Sequence, residues 1–433
     1  MKKFSKYSHL LELDGRHYLF NVANGFTVAL NRRLVSLIES YRGNIDSIKG
    51  VHSDLYDGLV KCGMLVDDSL DETAELIKRF EAEDNNPETF DLTINPTLDC
   101  NLRCWYCYET HGKGTMMTHE VIESIKRLID NKLSDSDLKR INISFFGGEP
   151  LLGWDNVVIP LLRYGAEGCT KHGVKFNCGF TTNGVLLTKN RLDDLTRIGL
   201  GDTSFQISID GNKTLHDNSR VNAAKHPTYD RIMTNVAYAA AKGFKVSLRF
   251  NYTPDTLDAF TDVLTDLEEL PAESRKNIVC SFHQVWQTTD GNQDNPIKDH
   301  ADRIAGFFRE SGFATCSDRK YYRYVCYGDH ANHAVVNYNG DLYKCTAREF
   351  SPLTREGVLT HDGKLQWNSR FTDRMAVKYA EKACRDCSIM PVCNGGCSQN
   401  KLERQSSDFC PKDMDDSSRR YYLLMALKHQ LYQ

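Results

Sequence analysis

The chain has 433 residues, 40% of them hydrophobic, which is enough to bury a sizeable core and to build more than one domain. Basic residues number 54 and acidic residues 58, so the net charge of −4 carries no electrostatic footprint for nucleic acid or an anionic membrane. The N-terminal stretch lacks the apolar core of a signal peptide, and apolar runs such as VVIPLL are far too short to span a bilayer, so no membrane association and a cytoplasmic location are expected. Thiols stay reduced there, and 15 cysteines then point to metal ligation or redox chemistry ahead of a disulfide framework.

Residues 1–66 open with HLLELDGRHYLFNVANGFTVALN, alternating stretches broken at Asp14-Gly15 and Asn24-Gly25, which predict three short strands joined by tight turns. Helical spacing follows, with Leu34, Leu37 and Tyr41 on one face and a second helix capped by Ser53, before MLV returns as a strand. This order is that of a small winged helix-turn-helix module. Residues 67–90 hold nine acidic and two basic residues and predict an amphipathic linker helix presenting Ala74, Ile77 and Phe80 on one side.

From 91 to 285 strands and helices alternate. DLTINPT, RINISFF, VKFNCGFTTN, TSFQISID, KVSLRFNYT and NIVCSFHQV read as strands, and six βα units in succession imply parallel pairing in an α/β fold, a partial (β/α)6 TIM-type barrel. Residues 286–433 are loop-rich, hold eight cysteines, and have too little regular apolar pattern to fold without metal. His283, Trp286 and the dense RKYYRYVCYGDH read as core aromatics or as the lining of a substrate cleft.

DCNLRCWYC places Cys100, Cys104 and Cys107 on the loop beyond the first barrel strand, the end where α/β barrels gather their chemistry. Three thiolates on one short loop suit three irons of a 4Fe-4S cube, leaving the fourth iron open to a small molecule. A structural zinc site is the alternative, with His111 near enough to complete a Cys3His set. FFGGEPLL follows the second strand, where paired glycines allow close backbone approach and Glu149 offers a carboxylate for an amine.

With these two motifs the chain resembles the radical S-adenosylmethionine superfamily, whose signature CxxxCxφC has an aromatic residue where Tyr106 stands. The resemblance implies that Gly147, Gly148 and Glu149 grip S-adenosylmethionine, that Tyr106 packs near its adenine, and that Asn183 of TTNG, Ser208 of SIDG and Arg220 help to hold it. It also implies one-electron cleavage of the cosubstrate to a 5′-deoxyadenosyl radical, which abstracts hydrogen from unactivated carbon inside a closed cavity.

Cys384, Cys387, Cys393 and Cys397 obey C-x2-C-x5-C-x3-C, with Cys326 and Cys345 upstream and Cys410 downstream. The pattern resembles the SPASM extension, which carries two auxiliary 4Fe-4S clusters. By that resemblance Cys384, Cys387, Cys393 and Cys410 hold a distal cluster and Cys326, Cys345 and Cys397 a proximal one. Complete thiolate ligation needs a fourth proximal sulfur, for which Cys316 is the candidate; otherwise that cluster keeps an open iron. Zinc ribbons are the alternative for C-x2-C pairs. Cys62 in a helical pattern, Cys169 in a loop, and Cys178 and Cys280 in apolar strands read as small buried hydrophobes.

The whole pattern resembles a SPASM peptide maturase, an oxidoreductase that crosslinks a ribosomally made precursor peptide through a thioether or carbon-based bond. That resemblance implies S-adenosylmethionine, three 4Fe-4S clusters, a reduced flavodoxin or ferredoxin-type electron donor, and a leader peptide that adds a strand to the N-terminal sheet. Residues 1–66 carry nine basic and six acidic residues, too mild an excess to drive phosphate binding. Two other functions stand beside this one. An anaerobic sulfatase-maturing enzyme resembles the chain but carries aspartate where Thr346 follows Cys345, a departure that leaves the general base unassigned. A zinc-stabilised DNA-binding regulator requires the GGEP match to be accidental.

Overall fold

A computed structural model describes residues 1–222, 224–289, 296–316, 323–404 and 409–432. The chain divides into two compact units that do not follow its order: Met1–Asn85 with Arg319–Ala331 and Asp373–Gln433, and Asn86–Asp318 with Asn332–Thr372. Residues 286–433, read from sequence as one domain, contribute to both.

In the first unit the strands are β1 (Lys2–Phe4), β2 (Ser8–Leu13), β3 (Arg16–Asn21), β4 (Thr27–Leu30) and β5 (Leu65–Asp67). β2, β3 and β4 form an antiparallel sheet in that order, and β1 pairs antiparallel with β5. Asp14 and Gly15, which join β2 to β3, both lie at positive φ, 51° and 72°, as a tight two-residue hairpin requires. The helix Arg32–Ser40 buries Ile38, while Leu34, Leu37 and Tyr41 are half-buried. In the helix Ser53–Lys61 the cap is His52, whose Nδ1 accepts from Leu55 N, and Ser53 already lies inside the first turn. The helix Glu72–Asp84 is capped by Asp71, which accepts from the amides of Thr73 and Ala74. Its covered face is Thr73, Leu76 and Phe80; Ala74 is exposed and Ile77 half-buried, because the bulkier Leu76 rotates the apolar stripe away from Ala74. Tyr7, Leu11, Phe20, Leu76, Phe80 and Leu427 share one core, so N-terminal strands, acidic helix and C-terminal helix pack together within this unit.

The second unit holds an 11-stranded sheet. β6 (Thr89–Ile94), β7 (Arg140–Phe145), β8 (Lys175–Thr182), β9 (Ser204–Ile209), β10 (Lys245–Tyr252) and β11 (Ile278–Gln284) are hydrogen-bonded in chain order, all parallel. β12 (Ala314–Cys316) continues the parallel run beside β11, and β13 (His333–Val336) does so on the far side of β6. β14 (Asp341–Tyr343), β15 (Gly357–Leu359) and β16 (Leu365–Trp367) extend it antiparallel. This is an α/β fold with a parallel-rich, TIM-like sheet.

Its two faces differ. Phe90, Leu92 and Ile94 of β6 are buried in a core with Ile125 and Leu128 of the helix His119–Leu133. The alternate residues are polar, and on that second face Asn142 donates to Asp91 (2.7 Å) and Asn177 to Asn142 (2.8 Å). A cavity of about 190 Å³ lined by Ser144, Thr181, Ser204, Gln206 and Ser247 lies there too. Parallel sheets are ordinarily apolar on both faces, so a polar face leaves room for a hydrated ligand.

Candidate active site

The loop after β6 carries Cys100, Cys104 and Cys107, and the loop after β7 carries Gly147, Gly148 and Glu149. The two loops touch backbone to backbone. Gly148 N donates to Thr97 O (3.1 Å) and Glu149 N to Asp99 O (2.9 Å). A Cβ on Gly148 would stand 2.2 Å from Asp99 O, and one on Gly147, whose φ is 101°, would stand 2.5 Å from Thr97 O. The paired glycines are therefore demanded by the cysteine loop itself, before any ligand is considered.

Glu149 is fully buried, and its carboxylate is already engaged. Oε1 accepts from Leu151 N (3.0 Å) and Thr182 Oγ1 (2.7 Å), and Oε2 accepts from Asn183 N (2.8 Å). Burial raises its pKa while these donors pull it back. A ligand at this loop thus meets backbone, and the Glu149 side chain fastens GGEP to TTNG. Asn183 in turn donates through Nδ2 to Asn101 Oδ1 (2.7 Å) and to Cys100 Sγ (3.7 Å).

The middle thiol, Cys104, acts on both of the others. Burial pushes Cys100 up to about 12, and the charges of Glu149 and Cys104 add to it. Burial also raises Cys104 and Cys107, the latter with a further contribution from Cys104. His111 Nε2 lies 3.5 Å from Cys107 Sγ. Among the described residues no three His, Cys, Asp or Glu side chains converge as they would on one metal ion. Thiolates on separate irons of a cube stand further apart than the four ligands of a single zinc.

Beside the thiols lies a buried polar network. Arg220 Nη1 donates to Tyr106 Oη (2.6 Å) and pairs with Asp210 Oδ1 (3.6 Å). Tyr106 donates to Asp210 Oδ1 (2.9 Å), Ser219 to Asp210 Oδ2 (2.8 Å), and Asn251 Nδ2 to both Tyr106 Oη (3.1 Å) and Asp210 Oδ1 (3.2 Å). Burial opposes the charge on Arg220, but Cys104, Tyr106, Asp210 and Cys100 outweigh it and leave the guanidinium above its ordinary range. Sequence reasoning missed Asp210 as more than a turn residue, and missed Asn251. The signal for Asp210 was its place at the end of β9, opposite the cluster loop. Ser208 sits on β9 in register with Arg249 of β10. Trp286 is half-exposed and stacks on Tyr108 at 5.5 Å, whereas residues 319–322 of the aromatic-rich segment lie outside the described residues.

Residues 94–267 match the family model of the radical SAM superfamily. This chain carries a radical SAM domain. The serine-type anaerobic sulfatase-maturating enzyme of Bacteroides thetaiotaomicron is 23% identical over 360 residues, covering 70% of this chain and 81% of that protein. Two solved structures share the fold. Native anSMEcpe with bound AdoMet gives a TM-score of 0.56 at 17% identity, over 79% of this chain and 98% of that one. Streptococcus suis SuiB bound to S-adenosylmethionine gives 0.52 at 16% identity, over 96% of this chain and 99% of that one.

Membership of a radical SAM domain implies S-adenosylmethionine and a 4Fe-4S cluster, which together supply one-electron chemistry at a sulfonium. The residues fit both. Three thiols share one loop, and two buried polar atoms, Arg220 Nε beside the thiols and Oδ1 of Asn95, which lies against Gly147, have no partner among the described residues. An unpaired donor and an unpaired acceptor are what the carboxylate and amine of a zwitterion would satisfy.

The C-terminal cysteines fall into two sets. Cys384, Cys387, Cys393 and Cys410 all lie in the first unit, where burial raises Cys393 and the charges of Cys387 and Cys410 add to it. Burial pushes Cys384 up to about 11, Lys401 pulls it down, and Cys393 pushes it up. Asn394, Gly395 and Gly396 turn the chain with φ of 55°, 74° and 76°, and a Cβ on Gly396 would stand 2.8 Å from Pro411, the neighbour of Cys410. Cys326 and Cys397 also belong to the first unit, whereas Cys316 and Cys345 belong to the second. Cys316, exposed at the end of β12, is near enough to Cys280 to raise its pKa further. Cys169, Cys178 and Cys280 are buried; Cys169 sits in the helix Ile159–His172, not in a loop, because Gly173 ends that helix in the left-handed region four residues later. Among the described residues no helix is long and apolar enough to cross a membrane.

Proposed function

We propose that this protein is a radical SAM peptide maturase with a winged-helix leader-recognition domain and a SPASM extension, which oxidises a ribosomally made precursor peptide to form a thioether or carbon-based crosslink. One observation carries the reading: the fold match to SuiB extends over 96% of the chain, and SuiB is also solved bound to its precursor peptide SuiA. Among the described residues β2 and β4 are the edges of the N-terminal sheet, and an extended leader can add to such an edge through main-chain hydrogen bonds. Cys100, Cys104 and Cys107 hold the catalytic cluster, Arg220 and the Gly147–Gly148 backbone hold S-adenosylmethionine, and the C-terminal cysteines hold two auxiliary clusters that accept the second electron. A reduced flavodoxin or ferredoxin-type protein supplies the first.

The sulfatase-maturase relative favours a second reading, oxidation of a serine or cysteine to formylglycine. Anaerobic reaction with a small peptide encoded beside the gene separates the two. A crosslink removes two hydrogens, about 2 Da, and silences backbone fragmentation between the joined residues. An aldehyde trapped by a hydroxylamine probe would instead establish formylglycine. Peptide returned unchanged while 5′-deoxyadenosine accumulates would remove crosslinking of that peptide from consideration.

A further inference from the structure

Lys401, on the short helix Ser398–Glu403, has a side chain with 0% exposure. Its ammonium donates to Lys378 O (2.6 Å), to Val377 O (3.4 Å) and to the Glu381 carboxylate, and it lies 3.6 Å from Cys384 Sγ. All these partners belong to the first unit. Removing an ammonium from water is costly, and well-packed apolar residues usually replace a buried ion pair without loss of stability. The carbonyls of Val377 and Lys378, at the end of the helix Ser369–Val377, account for part of the role of this charge but do not mark a cofactor site. The sulfur does: Cys384 is the first thiol of the distal set.

We propose that Lys401 raises the reduction potential of the distal auxiliary cluster by directing a charged N–H donor at the Cys384 thiolate. The inference rests on the reading that Cys384, Cys387, Cys393 and Cys410 hold a 4Fe-4S cluster. Reduction adds one negative charge to a cluster already carrying four thiolates, and a cation hydrogen-bonded to a ligand sulfur favours the more negative state. Glu381, paired with the ammonium and nearly buried, offsets part of that effect. No bond to Lys401 forms or breaks. The cluster gains one electron, from dithionite in the experiment below and from a substrate-derived radical in turnover.

The test uses the full chain carrying Cys100→Ala, Cys104→Ala and Cys107→Ala, so that only auxiliary clusters titrate. It is poised anaerobically with dithionite and mediators and followed by electron paramagnetic resonance. Lys401→Met should lower one midpoint by at least about 59 mV, a tenfold change in a one-electron equilibrium, and leave the other in place. Glu381→Gln should move the same midpoint upward. A purely packing role for Lys401 would not produce shifts of opposite sign. Unmoved midpoints in Lys401→Met, with iron and sulfide equal to the parent, overturn the proposal. If that variant loses iron, Glu381→Gln decides: an upward shift supports the proposal, and no shift overturns it. A parent without auxiliary iron and sulfide is a separate result, which removes the auxiliary-cluster reading and the proposal with it.

Discussion

Arg220 is buried with one donor, Nε, unpartnered among the described residues, and its charge is balanced by Asp210 at 3.6 Å. Arg220→Lys keeps the charge against Asp210 but loses the planar fork and the spare N–H. Loss of one charge-assisted hydrogen bond corresponds to about 2 kcal/mol, so S-adenosylmethionine should bind roughly tenfold to fiftyfold more weakly, at unchanged iron content. Anaerobic equilibrium dialysis reads this directly, and unaltered affinity would remove Arg220 from the cosubstrate site. Gly148→Ala acts on the neighbouring loop. A methyl 2.2 Å from a backbone carbonyl has nothing flexible to displace, so either the GGEP turn or the cysteine loop must shift. That variant should lose the cluster of Cys100, Cys104 and Cys107, seen as a fall in bound iron. A third expectation concerns pH. Burial pushes Cys100 up to about 12 and also raises Cys104 and Cys107, so the iron-free fold holds protons that cluster assembly must release. Far below its pKa, a thiol gains thiolate about tenfold per pH unit, whereas a free thiol near 8.5 begins to level off. Reconstitution should accelerate from pH 7 to pH 9 more steeply than iron capture by a free thiol, and equal slopes would contradict the burial of these ligands.

At the scale of elements, legibility in the sequence follows length and periodicity. The six strands β6 to β11 have six to eight residues and alternate clearly, so the parallel run was readable. β12 and β13 have three and four residues and were not. No local pattern announces a strand that exists because a parallel neighbour offers its edge. The acidic helix was readable from composition, yet its face was misjudged by one position, since Leu76 outweighs Ala74 in buried area. The cysteine and GGEP motifs were readable as motifs, but the reason for their glycines was not: the close approach is between two loops 50 residues apart in the chain. β4 allows a prediction of its own. Among the described residues it pairs with β3 alone, through Thr27 to Leu30, and Ala29 is exposed. If the leader adds to this edge, Ala29→Pro removes one N–H from the strand and should weaken leader binding about tenfold or more, measured by fluorescence anisotropy of a labelled leader. The cysteine loop lies in the other unit, so 5′-deoxyadenosine formation at Cys100, Cys104 and Cys107 should be unchanged. Leader binding unaffected by this substitution would exclude the β4 edge and leave β2.

At the scale of the whole molecule, two of the three cysteine sets assigned to iron each keep to one unit, whereas Cys316, Cys326, Cys345 and Cys397 divide between the two. Cys100, Cys104 and Cys107 lie in the second unit, and the distal set lies entirely in the first. The catalytic and distal clusters, each with all its ligands within one unit, should load independently of one another. The triple variant Cys100→Ala, Cys104→Ala, Cys107→Ala should therefore lose about a third of the iron, roughly four of twelve atoms, and retain the remainder with matching acid-labile sulfide. It should make no 5′-deoxyadenosine, since no other three thiols are placed beside Arg220 and the GGEP loop among the described residues. Leader binding should persist, as the N-terminal sheet packs against the core of the first unit. The three readouts are independent of one another. Retained 5′-deoxyadenosine formation would dismiss the cysteine loop as the catalytic ligand set, loss of all iron would mean that the clusters assemble in sequence, and a parent holding only one cluster's iron would dismiss the auxiliary pair while leaving the radical chemistry intact.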